Sequence, residues 1–178
     1  MAELVALGTL WGQTSFSTHD RTLKTDEGNF TVTEPLGWLL DDHPSGVEEA
    51  MAVLYPRGTS LKTAPSVIYI SVFYKEDQEF QDLDGWIKKD EASVLQEDPK
   101  TRVQAGPPLR TRLQKAAPTR FYSDEAKKYF EGVAFIEEKD LVLRLTLESG
   151  DAKIFNEDLP ALQELVASYE WMWGPTGR

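Results

Sequence analysis

Apolar residues in this chain cluster in short runs separated by polar, Pro-rich and Gly-rich breaks. Residues 18–29 are polar and read as a loop. From Phe30 the pattern alternates through Phe30-Thr31-Val32-Thr33, the signature of a strand with one face buried, and Glu34-Pro35 stops it. Gly37-Trp38-Leu39-Leu40 follows, then a turn-rich stretch from Asp41 to Gly46. Ala50–Tyr55 is an apolar run closed by Pro56-Arg57-Gly58 and reads as a strand. Val67–Tyr74 is β-branched and aromatic without alternation, which predicts a central strand covered on both faces. Leu83, Trp86, Ile87, Val94 and Leu95 share one stripe at helical spacing, so a helix is expected from about Leu83 to Leu95, with Asp82 or Asp84 as its N-cap.

Beyond Pro99 the pattern returns to strands. Thr101–Gln104, Leu109–Leu113 and Thr119–Tyr122 are short candidates broken by Pro107-Pro108 and Pro118, as expected of edge or twisted strands. Val133–Ile136 and Leu141–Leu147 form a hairpin around the turn residues Glu137–Asp140. In its second strand Leu141, Leu143, Leu145 and Leu147 share one face, while Val142, Arg144 and Thr146 share the other. Phe155, Leu159, Leu162, Val166, Tyr169 and Trp173 are spaced as a helix stripe. Asp158 and Pro160 suggest its start and Gly174-Pro175 its stop. Trp171 falls off that stripe, either as a solvent-facing contact or, more simply, against a neighbouring strand. Several strands, a helix, more strands and a final helix, all joined by short turns, argue for an α+β fold on a mainly antiparallel sheet. The leucine face of 141–147 is the natural seat for the last helix.

The chain has 178 residues, enough for one domain that needs no disulfide or metal to be stable. It has no Cys, which excludes a thiolate nucleophile, Cys-ligated zinc and disulfide switching. The net charge of −11 disfavours nucleic acid and anionic membrane as partners, and no apolar run is long enough to span a bilayer. Leu4–Trp11 is apolar and Ser15-Phe16-Ser17 has a small-x-small pattern, yet Met1-Ala2-Glu3 supplies no positive charge. The tail of an export leader and an ordinary first strand both remain open.

Phe30-Thr31-Val32-Thr33-Glu34-Pro35-Leu36-Gly37-Trp38 resembles the opening strand and P-x-G-W turn of PsbP-like domains, which share a fold with the Ran-binding Mog protein. Leu54-Tyr55-Pro56-Arg57-Gly58, the strand Val67–Tyr74, and Leu159–Val166 followed by Ser168-Tyr169 are similar too. The resemblance covers residues 30–173, leaving 1–29 as an extension or leader remnant and 174–178 as a tail. It implies a three-layer α/β/α sandwich around a mainly antiparallel sheet of about six to eight strands with two main helices. It also implies a non-catalytic accessory or binding module, often exported, hence an extracytoplasmic setting. It supplies no catalytic residues.

Candidate chemistry is sparse. His43 follows Asp41-Asp42 in a Pro/Gly-rich loop, but adjacent side chains rarely converge on one ion and no second His stands at ligand spacing, so a solvated turn is the better reading. Glu137 and Glu138 suit a hairpin tip better than a catalytic pair. Neither a nucleophile elbow nor a phosphate-binding loop occurs, and no cofactor or metal is expected. Charge is segregated, however. From Glu76 to Asp98 nine acids face two bases, whereas Pro99–Ser123 holds six bases and no acid. Arg102, Arg110, Arg112, Lys115 and Arg120 are therefore the candidate contacts for an acidic protein or a small anionic ligand, because the guanidinium fork pairs with carboxylate or phosphate. The plainer account is that the basic strands lie beside the acidic first helix and the two neutralise each other. The expected function is a non-catalytic accessory or binding module, with a carboxylate-dependent hydrolase as the alternative.

Overall fold

A computed structural model describes residues 19–47, 49–77 and 79–172. The segment Leu4–Trp11, the Ser15–Ser17 pattern, Trp173 and Gly174-Pro175 lie outside the described residues. The leucine row behaves as its alternation predicts. Strand β9 (Leu141–Ser149) lies between β5 (Ser66–Tyr74) and β8 (Tyr129–Glu137), antiparallel to both. The sheet extends through β4 (Ala52–Pro56) to β3 (Trp38–Asp41) on one side, and through β7 (Ala116–Asp124) to β6 (Arg102–Arg110) on the other. Every neighbouring pair in this seven-stranded sheet is antiparallel.

The two faces of the sheet differ. Leu141, Leu143, Leu145 and Leu147 pack with Leu162, Leu165 and Val166 of helix α2 (Ala152–Ser168). On the opposite face Val133 and Phe135 meet Ile87 of helix α1 (Leu83–Glu97), and Trp86 stacks between Phe73 and Phe135. The result is an α+β sandwich of three layers. Asp82 caps α1 by accepting a hydrogen bond from the Gly85 amide at 2.7 Å, as expected.

A second sheet closes the α2 side, and here the sequence reading needs correction. The segment expected as a loop is a strand over most of its described part: β1 (Asp20–Thr25) forms a hairpin with β2 (Gly28–Thr33), and β10 (Glu170–Met172) pairs with β2 on its other edge. Strand β1 contributes only Leu23 to the core, so its hydrophobic signal is a single residue. Gly28 makes the packing possible, since a Cβ there would lie 2.7 Å from the Trp171 ring. Trp171 is thus on a strand and half-buried, not at the end of a helix.

Two further boundaries moved. The three short strands expected over 101–122 are two long ones, and Pro107-Pro108 sit in a register shift between Gly106 and Leu109 rather than in a break. Helix α2 begins six residues before Asp158, capped by Asp151, which accepts from the amides of Lys153 and Ile154. Pro160 lies inside the helix on its exposed side, where water can satisfy the carbonyl that its missing N–H leaves free. Asp158 instead accepts a hydrogen bond from Ser66 of β5. The helix ends at Ser168, because Tyr169 is extended and Ser168 Oγ accepts the Thr33 amide at 2.9 Å.

The Glu34-Pro35 turn joins the two sheets. Glu34 is only 2% exposed, and its carboxylate pairs with Arg57 Nη2 at 2.5 Å and with Arg21 Nη1 at 3.3 Å. Arg21 continues to Asp42 at 3.2 Å. Removing Glu34 leaves two arginines without their shared counter-ion. Because each keeps about a third of its side chain exposed (32% and 33%), the cost falls below that of a fully buried pair. Glu34→Ala is expected to lower stability by roughly 2–3 kcal/mol, read as a lower urea midpoint with unchanged slope.

Candidate functional site

The β6–β7 ladder carries all five candidate cations, and the fold spreads them over three places. Arg120 points to the α1 side, where its Nε donates to Glu91 of that helix and its Nη1 to the Thr119 carbonyl at 2.9 Å. Arg110, Arg112 and Lys115 gather at the turn between the strands. Arg102 stands alone at the opposite end of β6. Neutralisation by α1 therefore accounts for Arg120 only. The acids that meet Arg112 and Lys115 come from elsewhere in the chain.

The turn is built by Thr111, whose amide donates to the Lys115 carbonyl at 3.0 Å and whose Oγ1 accepts the Lys115 amide at 3.1 Å. Gln114 has a φ of 63°, and Arg110 Nη1 reaches its carbonyl at 3.2 Å. The Arg112 amide donates to the Tyr169 carbonyl at 3.1 Å, tying the turn to the start of β10. Arg112 Nη1 then pairs with Glu170 at 3.2 Å. Lys115 Nζ pairs with Glu138 at 2.6 Å, and Tyr169 donates its hydroxyl to the same carboxylate at 3.1 Å. Burial, with Glu138 beside it, holds the Tyr169 phenol far above its ordinary value, so it is a donor at any physiological pH.

Between these groups lies a shallow cleft of about 160 Å³, lined by Thr111, Leu113, Lys115, Tyr169 and Trp171 and by the acids Glu138 and Glu170. Leu113 is 65% exposed and Met172 on nearby β10 is 37% exposed. The surface is amphipathic: an apolar hollow with a bare leucine at its lip and the ion pairs Arg112–Glu170 and Lys115–Glu138 beside it. Sequence reasoning had Arg110, Arg112 and Lys115 but not Leu113, whose one visible signal was an apolar residue inside a charged turn. His43 is in a solvated turn, its Nδ1 3.0 Å from Asp42. That contact, with help from Arg21, lowers the Asp42 pKa. Among the described residues no three His, Cys, Asp or Glu side chains gather as metal ligands.

The α1 side of the sheet holds a second polar cluster. Arg144 of β9 donates to Glu131 of β8 at 2.6 Å and faces Asp90 of α1 at 3.4 Å. Tyr129 donates to Glu131, and Tyr122 to Asp90 at 2.8 Å. Glu131 is 6% exposed. Burial raises its pKa, opposed by Arg144 and by the Tyr129 hydrogen bond. A carboxyl whose folded pKa exceeds its unfolded one is easier to keep neutral when folded. Its contribution to stability is therefore greatest in acid, and is lost as pH rises through the ordinary glutamate range to the raised value. Glu131→Gln, neutral throughout, is expected to lose less stability than the parent as pH rises above the ordinary glutamate range, read in denaturation midpoints, and an identical slope would contradict this.

Neither a scan of protein-family models nor a search of curated proteins finds a match for this chain. Solved structures do match. Cyanobacterial PsbP (CyanoP) from Synechocystis sp. PCC 6803 superposes with a TM-score of 0.57 at 13% identity, covering 93% of this chain and 99% of that one. The Ran-binding protein Mog1p of Saccharomyces cerevisiae gives a TM-score of 0.54 at 14% identity, covering 86% and 96%. Identities this low speak to architecture alone. These superpositions, with two helices on an antiparallel seven-stranded sheet, show that the chain has the fold shared by PsbP and Mog1.

Proposed function

We propose that the chain is a non-catalytic accessory module that holds a protein partner at the β6–β7 tip. The observation that carries the reading is Leu113, exposed at a cleft that Lys115, Glu138 and Glu170 also line, in a turn that carries Arg110 and Arg112. An isolated exposed leucine needs no explanation, but one at the mouth of a hollow walled by Trp171 and Tyr169 has the form of a contact centre with a polar rim. The cations favour a partner segment with an acid next to an apolar side chain. Arg112 and Lys115 already pair with Glu170 and Glu138, so electrostatics would tune the approach and orientation of the partner more than the affinity.

Two further features support binding over hydrolysis. The buried carboxylates Glu34 and Glu131 are both tied to arginines, an arrangement suited to holding strands together rather than to shuttling protons. One of the similar structures, Mog1p, is itself described as a Ran-binding protein, so this fold is compatible with protein recognition.

Leu113 and Arg110 are both exposed, and changing them leaves the core intact. Leu113→Asp with Arg110→Glu is expected to release any partner that the parent chain retains in affinity capture, and to shift the melting temperature by no more than a few degrees. Partners held equally by parent and variant would reject this surface. Turnover of an ester, phosphate or glycoside, abolished by replacing one carboxylate, would replace the reading with the hydrolase.

A further inference from the structure

The other end of the β6–β7 ladder, roughly 25 Å from the tip for a strand of this length, has two adjoining hollows that share Ser123. The larger, about 300 Å³, is walled by Phe121 and Phe130 of the sheet and by Phe155 and Leu159 of α2. The smaller, about 220 Å³, is bordered by Lys100 and Arg102, with Asp124 and Glu125 on its far side.

Strand register decides which of these groups face one another. Arg102 is the Cα partner of Ser123, and Ser123 that of Phe130, so the three form one row across three strands. That row lies on the face covered by α2. Asp124 is one residue on and points to the α1 side, where its Oδ1 accepts the Ala126 and Lys127 amides at 2.8 and 3.3 Å. Register thus puts Asp124 on the other face from Arg102, although it borders the same small hollow.

The aromatic wall is assembled deliberately. Phe155 lies 6.4 Å from both Phe121, edge-on at 89°, and Phe130, tilted at 36°. Gly132 allows this, because a Cβ at that position would stand 3.2 Å from both the Phe121 and Phe155 rings. The polar end is unspent. Among the described residues neither the Arg102 guanidinium nor the Ser123 hydroxyl has a hydrogen-bond or ion-pair partner, whereas Arg110, Arg112, Lys115 and Arg120 are all engaged.

We propose that this end of the sheet binds a small aromatic carboxylate, its ring against Phe121, Phe130 and Phe155 and its carboxylate between Arg102 and the Ser123 hydroxyl. The volume is at the low end of ligand pockets, which suits one or two fused rings. Ring edges and faces in the wall attract an aromatic guest in fixed geometries that an alkyl chain cannot use. Arg102 offers a planar fork that matches a carboxylate, and the two acids that border its hollow, Asp124 and Glu125, form no ion pair with it. The site is independent of the tip, so either can fail without the other.

Calorimetric titration of the whole chain with naphthoate, its neutral amide and octanoate tests the assignment. Naphthoate is expected to bind, with the amide about tenfold weaker, the factor that one lost charge-assisted hydrogen bond of about 1.4 kcal/mol produces. Octanoate should be weaker than naphthoate. Arg102 is exposed, so Arg102→Gln should fold normally, lose about the same tenfold toward naphthoate and leave the amide unchanged. Phe130→Leu should narrow the gap between naphthoate and octanoate. The proposal is overturned if naphthoate does not bind at millimolar concentration, if acid and amide bind equally, if Arg102→Gln changes nothing, or if Leu113→Asp at the far tip is what abolishes binding.

Discussion

The dry contact between the leucine row of β9 and helix α2 organises the rest of the molecule. Leu141, Leu143, Leu145 and Leu147 are all essentially inaccessible, and Leu162, Leu165 and Val166 cover them. Each fully buried leucine contributes about 2 kcal/mol, so this one interface outweighs any ion pair on the surface. It also sets position. With α2 seated there, Tyr169 meets Phe30 at 5.4 Å, and the chain leaving the helix can only pass along β2. The three-stranded sheet is a consequence of that exit path, and with it the arrangement of Trp171, Glu170 and the β6–β7 turn.

The opposite face of β9 follows another logic. Arg144 sits there between Glu131 and Asp90, with two tyrosines completing the set, and α1 adds one fully buried residue, Ile87. This helix is held as much by directional polar contacts as by burial. Such pairs add little net stability compared with apolar packing, but their geometry is directional where apolar contact is not. The sandwich thus has a greasy side that supplies cohesion and a polar side that supplies alignment.

That asymmetry explains where exposed chemistry remains. Both ends of the β6–β7 ladder carry exposed side chains at the margin of the packed core: Leu113 at one, Arg102 at the other. Between them Arg120 is consumed by Glu91. The basic segment that stands out in the sequence is thus three separate features in space, only some of which offer anything to a partner.

Long, regular signals were legible without coordinates. The alternation in 141–147, the unbroken apolar run of β5, the stripe of α2 and the cap at Asp82 each depend on residues a few positions apart, and local geometry alone makes them visible. From these the antiparallel α+β character followed, and the Glu34–Trp38 turn pointed to the right fold. Only the tertiary structure decided that residues 20–25 are a strand, because one buried leucine and a partner strand make them so. It alone revealed that Pro160 could lie within a helix, since this requires knowing which side faces water. The same holds for the charges. Glu34 with Arg21 and Arg57, Arg112 with Glu170, and Lys115 with Glu138 join groups from 13 to 58 residues apart in the chain. Sequence determines which charges exist, but Coulomb attraction depends on distance in space, and folding alone sets that distance.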